Sequence, residues 1–223
     1  MERSLRQIDP SVHWTQEVTL EMLSRVITRE RVETILAALQ LTELRVRKLT
    51  LVVTIWICIA MNLYTEESID DVMLKLAAGP RFLRPMDDID VAGASAICQR
   101  RQQLGVAPMV ALFKEVCQPL ATPQTQDAFL FGLRLMAIDG TVEDLADTPV
   151  NARYFGRQTG SRGNSAFPQM RCVYLTECGT HAICDAGAWP YATSERKGGL
   201  RVLRSVGADI SSSHYESDMI YLR

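Results

Sequence analysis

The residue best placed to do chemistry is Asp139. It follows the apolar run Leu133–Ile138 and precedes Gly140 and Thr141, so a strand ending there holds one carboxylate rigidly at its tip. Magnesium needs that kind of ligand, because it takes one or two fixed protein oxygens and keeps waters for the rest. Spacing alone gives a plainer reading, since Asp-Gly after an apolar run is a turn. The basic candidates are Arg100 and Arg101, on a helical pattern capped by Ser95, running to Leu104 and closed by Gly105. A second helix follows from Pro108, and a helix-turn-helix can present such a pair to DNA phosphates. An exposed basic helix face fits the same residues, and the segment 87–90 is acidic. Arg45, Arg47 and Lys48 form a second small cluster of the same kind. Arg157, beyond the first strand, can reach a phosphate. Asp147 with Thr148 reads as the cap of a short helix that has Pro149 at its first position. His181 reads as structural, and Glu177 as a solvated turn residue.

The elements that would carry these residues divide the chain in two. Residues 1–120 read as helical. Val32, Ile35, Leu36 and Leu39 share one face of a helix from Arg29 to Leu41, and an apolar helix follows from Leu49 to Tyr64. Ser68 caps a third, with Asp70 and Asp71 in its first turn, and Gly79-Pro80 stops it. Residues 121–129 lie in a Pro-containing polar stretch and read as a linker. From residue 130 the period shortens to that of strands, with Phe131–Ile138, Met170–Thr176 and His181–Ala186 as three, and a glycine turn between the last two. A helix is expected over Ser194–Val206. The fold class is therefore α+β, a helical domain followed by an antiparallel three-stranded start plus a helix.

Bulk properties set limits. The chain has 223 residues and a formal net charge of -2, and neither half is basic: residues 1–125 carry 14 basic and 15 acidic side chains. DNA contact would need a local basic face, because there is no global one. The run Leu49–Tyr64 is shorter than the ~20 residues of a spanning helix, so no membrane partner is expected. The six cysteines include no C-x-x-C pair. Cys172, Cys178 and Cys184 keep strand parity and read as small sheet-filling residues, which suits a reducing cytoplasm.

The segment Asp139-Gly140-Thr141, Asp147-Thr148-Pro149, Asn151, Phe155-Gly156-Arg157 and Phe167-Pro168-Gln169 resembles the start of the catalytic domain of insertion sequence 4 family DDE transposases. The helical first half, with "ELRVRKLTLVVTIWICIAMNLYTEESIDDVMLKL", resembles that family's N-terminal domain. The resemblance implies a ribonuclease-H-like fold whose first strand carries the leading catalytic aspartate, here Asp139. It implies two magnesium ions about 4 Å apart, bridged by that aspartate, and in-line attack on a phosphodiester during DNA transposition. DNA at transposon ends, a second copy or an intact transposase would be the partners, in a nucleoid-associated cytoplasmic setting. The family also needs a second aspartate in an apolar-Asp-Arg context and a later glutamate. Neither Asp209 nor Asp218 has that context, and the tail from about residue 209 is atypical. The expectation is a truncated transposase, inactive alone. The alternatives are a DNA-binding or dimerising fragment that regulates the intact enzyme, and a non-functional relic.

Overall fold

The computed structural model describes residues 20–41, 43, 49–78, 93–160, 163–204 and 219–222. The chain forms two compact units, Met1–Val116 and Cys117–Arg223.

Among the described residues of the first unit six helices follow one another: α1 (Leu20–Ser24), α2 (Arg29–Ala38), α3 (Leu51–Leu63), α4 (Ile69–Ala78), α5 (Ala94–Leu104) and α6 (Ala107–Val116). The hydroxyl of Thr28 starts α2 by accepting the Arg31 amide, and Thr50 starts α3 by accepting that of Val53. Thus α3 begins two residues after the Leu49 expected from apolarity. It is buried nearly all round, with Ile55, Trp56, Ile57 and Ala60 closed to solvent, as a helix apolar on every face must be. Its one buried hydroxyl, on Thr54, donates to the Thr50 carbonyl at 2.8 Å. Around it pack α2, α4 and α5, and Arg31 of α2 reaches Glu115 of α6 at 2.9 Å. Ser68 caps α4, accepting the Asp71 amide and donating to the Asp71 carboxylate. Ser95 does not cap α5: Gly93 holds that position and Ser95 lies inside the helix. The expected stop at Gly79-Pro80 falls outside the described residues. Among the described residues, no helix is long and apolar enough to cross a membrane.

The second unit is built on an antiparallel sheet. Its strands are β1 (Phe129–Leu130), β2 (Leu133–Asp144), β5 (Gln169–Glu177), β6 (Ile183–Pro190) and β7 (Met219–Leu222); a small hairpin of β3 (Thr159–Gly160) and β4 (Gly163–Asn164) stands apart. The strand order is β1-β2-β5-β6, and β7 also pairs with β2, from Arg134↔Leu222 to Ala137↔Met219. The short helix α7 (Pro149–Phe155) follows β2, and α8 (Glu195–Leu203) follows β6. Side chains alternate between faces. Met136, Ile138, Val173 and Leu175 therefore share the face where α8 buries Val202 and Leu203. Gly198 lets that helix come close, since a Cβ there would lie 2.7 Å from Val173 and 3.0 Å from the Trp189 ring. The α+β architecture is as expected, a helical first half and then an antiparallel sheet with a helix on it.

Three details differ from the sequence expectation. β2 starts at Leu133 and runs on to Asp144, so Asp139 sits in mid-strand and Asp139-Gly140 is no turn. The residues before it make a tight reversal instead, with Phe131 at φ 51° and Gly132 at φ 77°. Two positive φ values in a two-residue hairpin loop match the right-handed twist of the strands, which outweighs the strain of a phenylalanine there. In the β5–β6 turn the positive φ belongs to His181, at 59°. Gly179 is required there for room, because a Cβ would collide with Ala128. Phe131 is 94% exposed, so its ring returns nothing for its strained backbone. Replacing it with asparagine should raise stability by about 1 kcal/mol, read as a higher urea midpoint at unchanged slope.

Candidate functional site

The site is assembled by β2 and its neighbour β5. Asp139 lies opposite Tyr174, one rung from Gly140↔Val173 and Ile138↔Leu175. Parity places the Asp139 side chain on the face away from α8, with Ala137, Thr141, Cys172, Tyr174 and Thr176. The carboxylate is exposed, and its Oδ1 accepts the Gly140 amide at 2.8 Å. On the other face Glu195, in the first turn of α8, lies over Gly140: a Cβ at that glycine would stand 2.6 Å from the glutamate's Cγ and Cδ. Gly140 is thus small because a helix N-terminus crosses it. Burial pushes the Tyr174 phenol up to about 12, with Cys172 and the Glu143 charge adding to the effect. It therefore remains a neutral phenol on the face that carries Asp139.

The basic candidates divide. Arg100 is turned inward. Its Nε donates to the Leu49 carbonyl at 2.8 Å, its Nη1 to Gln103 at 2.9 Å, and it pairs with Glu43, which braces α5 against the start of α3. Arg101 beside it is exposed and makes no ion pair with the described residues. Arg157 is engaged as well. Its guanidinium donates to the carbonyls of Ser165 and Ala166 and pairs with Asp147 at 2.5 Å. The cap of α7 is Thr148, which accepts the Asn151 amide, while Asp147 serves as the counterion of Arg157. Arg45, Arg47 and Lys48 lie outside the described residues.

The carboxylate that sequence reasoning missed is Glu177. Expected in a solvated turn, it ends β5 and is 0% exposed. Its Oε2 accepts the amides of Leu120 (3.1 Å) and Ala121 (2.7 Å) and the Thr180 hydroxyl (2.5 Å), and Oε1 pairs with Arg134. Parity carried the signal, because residues 173, 175 and 177 alternate onto the buried face.

Comparison with known proteins bears on both units. The family described as insertion element 4 transposase N-terminal matches residues 17–114, which contain nearly all of the helical core. The transposase InsG for insertion sequence element IS4 of Escherichia coli K12 is 28% identical over 188 residues, covering 84% of this chain. The chain is thus similar to insertion sequence 4 transposases, and its helical unit to their N-terminal domain. A putative transposase of the same organism, InsZ, is 33% identical over 108 residues, covering 48% of this chain. The matches cover 41% of InsG and 36% of InsZ, so the chain spans about two fifths of the curated relatives it matches. No solved structure matches it.

Proposed function

We propose that the chain acts at the ends of a mobile DNA element. In this reading the helical unit contacts DNA and β2 supplies Asp139, the leading metal-binding aspartate of a ribonuclease-H-like centre for DNA transposition. The observation that carries the reading is the InsG match, which at 188 residues is longer than either unit and so enters both. The placement of Asp139 supports it, since a rigid mid-strand position leaves the carboxylate exposed. Magnesium would supply Lewis-acid chemistry to such a centre. The described residues alone do not fit a pair of magnesium ions, because among them no three His, Cys, Asp or Glu side chains group to hold a metal. Cleavage therefore needs carboxylates beyond these, and the chain by itself is read as an end-binding protein that competes with an intact transposase. Among the described basic candidates, Arg101 is the one whose charge is available to a phosphate, since Arg100 and Arg157 are engaged within their own units.

A mobility-shift assay on a duplex carrying the element's terminal repeat, with magnesium and a salt series, tests this. The expected result is a shift that weakens as salt rises, without nicking. Arg101→Glu should weaken it and Asp139→Ala should leave it unchanged. Absence of any shift would overturn the DNA-binding reading. Nicking that Asp139→Ala abolishes would overturn the inactive-alone reading and establish the catalytic role of that residue.

A further inference from the structure

We propose that α5 recognises base sequence in duplex DNA through Ser95, Gln99 and Gln102, an inference that rests on the DNA-binding reading above. One side of α5 is anchored. Ile97 and Leu104 are buried there, and Arg100 between them donates to the Leu49 carbonyl at 2.8 Å and pairs with Glu43. These three residues hold that side against α3 and the residues just before it. By the helical period the opposite side carries Ser95, Gln99 and Gln102, spaced i, i+4, i+7, and all three are exposed.

The charge pattern of this side singles it out. A solvated helix face is ordinarily laced with ion pairs, as α2 is by Arg29 and Glu33. Nothing of that kind is present on α5, whose sequence ASAICQRRQQL contains no Asp or Glu although the chain's net charge is -2. Among the other described helices of this unit, α1, α2, α4 and α6 each carry an acid. The remaining one, α3, also lacks an acid but is buried nearly all round. An exposed, acid-free side flanked by the charge of Arg101 is complementary to a polyanion, which would repel an Asp or Glu placed there.

The side chains themselves suit base edges. A glutamine amide offers an acceptor and two donors, and it pairs bidentately with N6 and N7 of adenine, while a serine hydroxyl bonds to any base. From Ser95 to Gln102 the stripe is roughly 10 Å long, the rise of about three base pairs, and the major groove admits a helix. The ligand is therefore duplex DNA that presents two adenines within about three base pairs of the terminal repeat. Arg100 acts as a positioning residue, since its bonds to Leu49 and Glu43 set the rotation of α5. Arg101 supplies the phosphate contact, which carries no sequence information.

Mobility-shift competition with the full chain tests this, setting a duplex that carries the terminal repeat against a scrambled duplex of the same length and composition. Wild type should prefer the repeat. Gln99→Ala and Gln102→Ala, on an exposed helix surface that alanine suits, should each cut the preference about tenfold and leave binding to the scrambled duplex unchanged. Arg101→Glu should weaken both duplexes alike. Cys98, the one exposed thiol of six, lies a turn from both Ser95 and Gln102 and gives a second readout. The repeat should slow its alkylation by iodoacetamide several-fold. Equal binding of both duplexes by wild type, a preference retained in both glutamine variants, or undiminished alkylation of Cys98 in the complex would overturn the proposal and leave DNA binding standing. Absence of a shift on either duplex would overturn DNA binding and the proposal together.

Discussion

Glu177→Ala is expected to destabilise the sheet unit by about 3–5 kcal/mol, the cost of removing one partner from a buried ion pair. Three donors, Leu120 N, Ala121 N and the Thr180 hydroxyl, would lose their acceptor, and the Arg134 guanidinium its counterion. Each unsatisfied buried donor costs about 1–3 kcal/mol when water cannot replace the bond. The loss has a ceiling, because a segment that detaches lets those donors reach water. Urea unfolding followed by Trp189 fluorescence, with Trp14 and Trp56 replaced by phenylalanine, reads the change. The pH dependence gives a second check. Burial pushes the Glu177 carboxyl up, but the bonds from Thr180, Ala121, Leu120 and Arg134 together outweigh it and leave it below its ordinary 4.5. A depressed carboxyl stabilises the fold above its unfolded-state value, and that contribution is lost as pH falls through the lower folded value. Wild type should therefore lose stability below about pH 4.5 more steeply than Glu177→Gln does. Parallel profiles would contradict the assignment.

In the helical unit the largest expected effect is Trp56→Ala, about 3–5 kcal/mol. Trp56 is 0% exposed at the centre of α3, and Ile55, Ile57 and Ala60 around it are equally closed. Removing the indole opens a cavity that neighbours held on three other helices cannot fill by small shifts. Because the two units have separate buried clusters, the loss should be confined to the first. Thermal melting followed at 222 nm should lose its helical transition or shift it by tens of degrees, while the Trp189 signal keeps its midpoint. A common shift of both would mean that the units unfold as one.

The helical half was legible because its caps and faces are local. Ser68 bonds within its own first turn, and the Val32-Ile35-Leu36 stripe needs only the helical period, whereas the Thr28 and Thr50 caps went unread. The strands were legible as apolar runs, but their ends were not. Gly140 interrupts the apolar pattern of β2, and what keeps it in the strand is its pairing with Val173 of β5, far along the chain, and Glu195 lying above it. The same reason hid Glu177. Its partners Leu120 and Arg134 lie 57 and 43 residues away, and a glutamate beside Cys-Gly-Thr looks like a turn until β2 is laid against it. Among the site candidates, residue type pointed to Asp139, and its exposed position in the sheet is consistent with that reading. Residue type could not separate Arg100 from its neighbour Arg101, since that depends on which way α5 is rotated against the Leu49 carbonyl.

The pairing of β7 with β2 bears on how the protein behaves in concentrated solution. An unpaired strand edge is a template for another chain, and residues 219–222 cover the outer rungs of Arg134–Ala137. Those rungs border Met136 and Ile138, apolar enough for a second molecule to add its own strand there. A variant ending at residue 218 should therefore self-associate, its light-scattering mass rising with concentration while the intact chain's stays constant. The last five residues would then act as the protein's own anti-aggregation device.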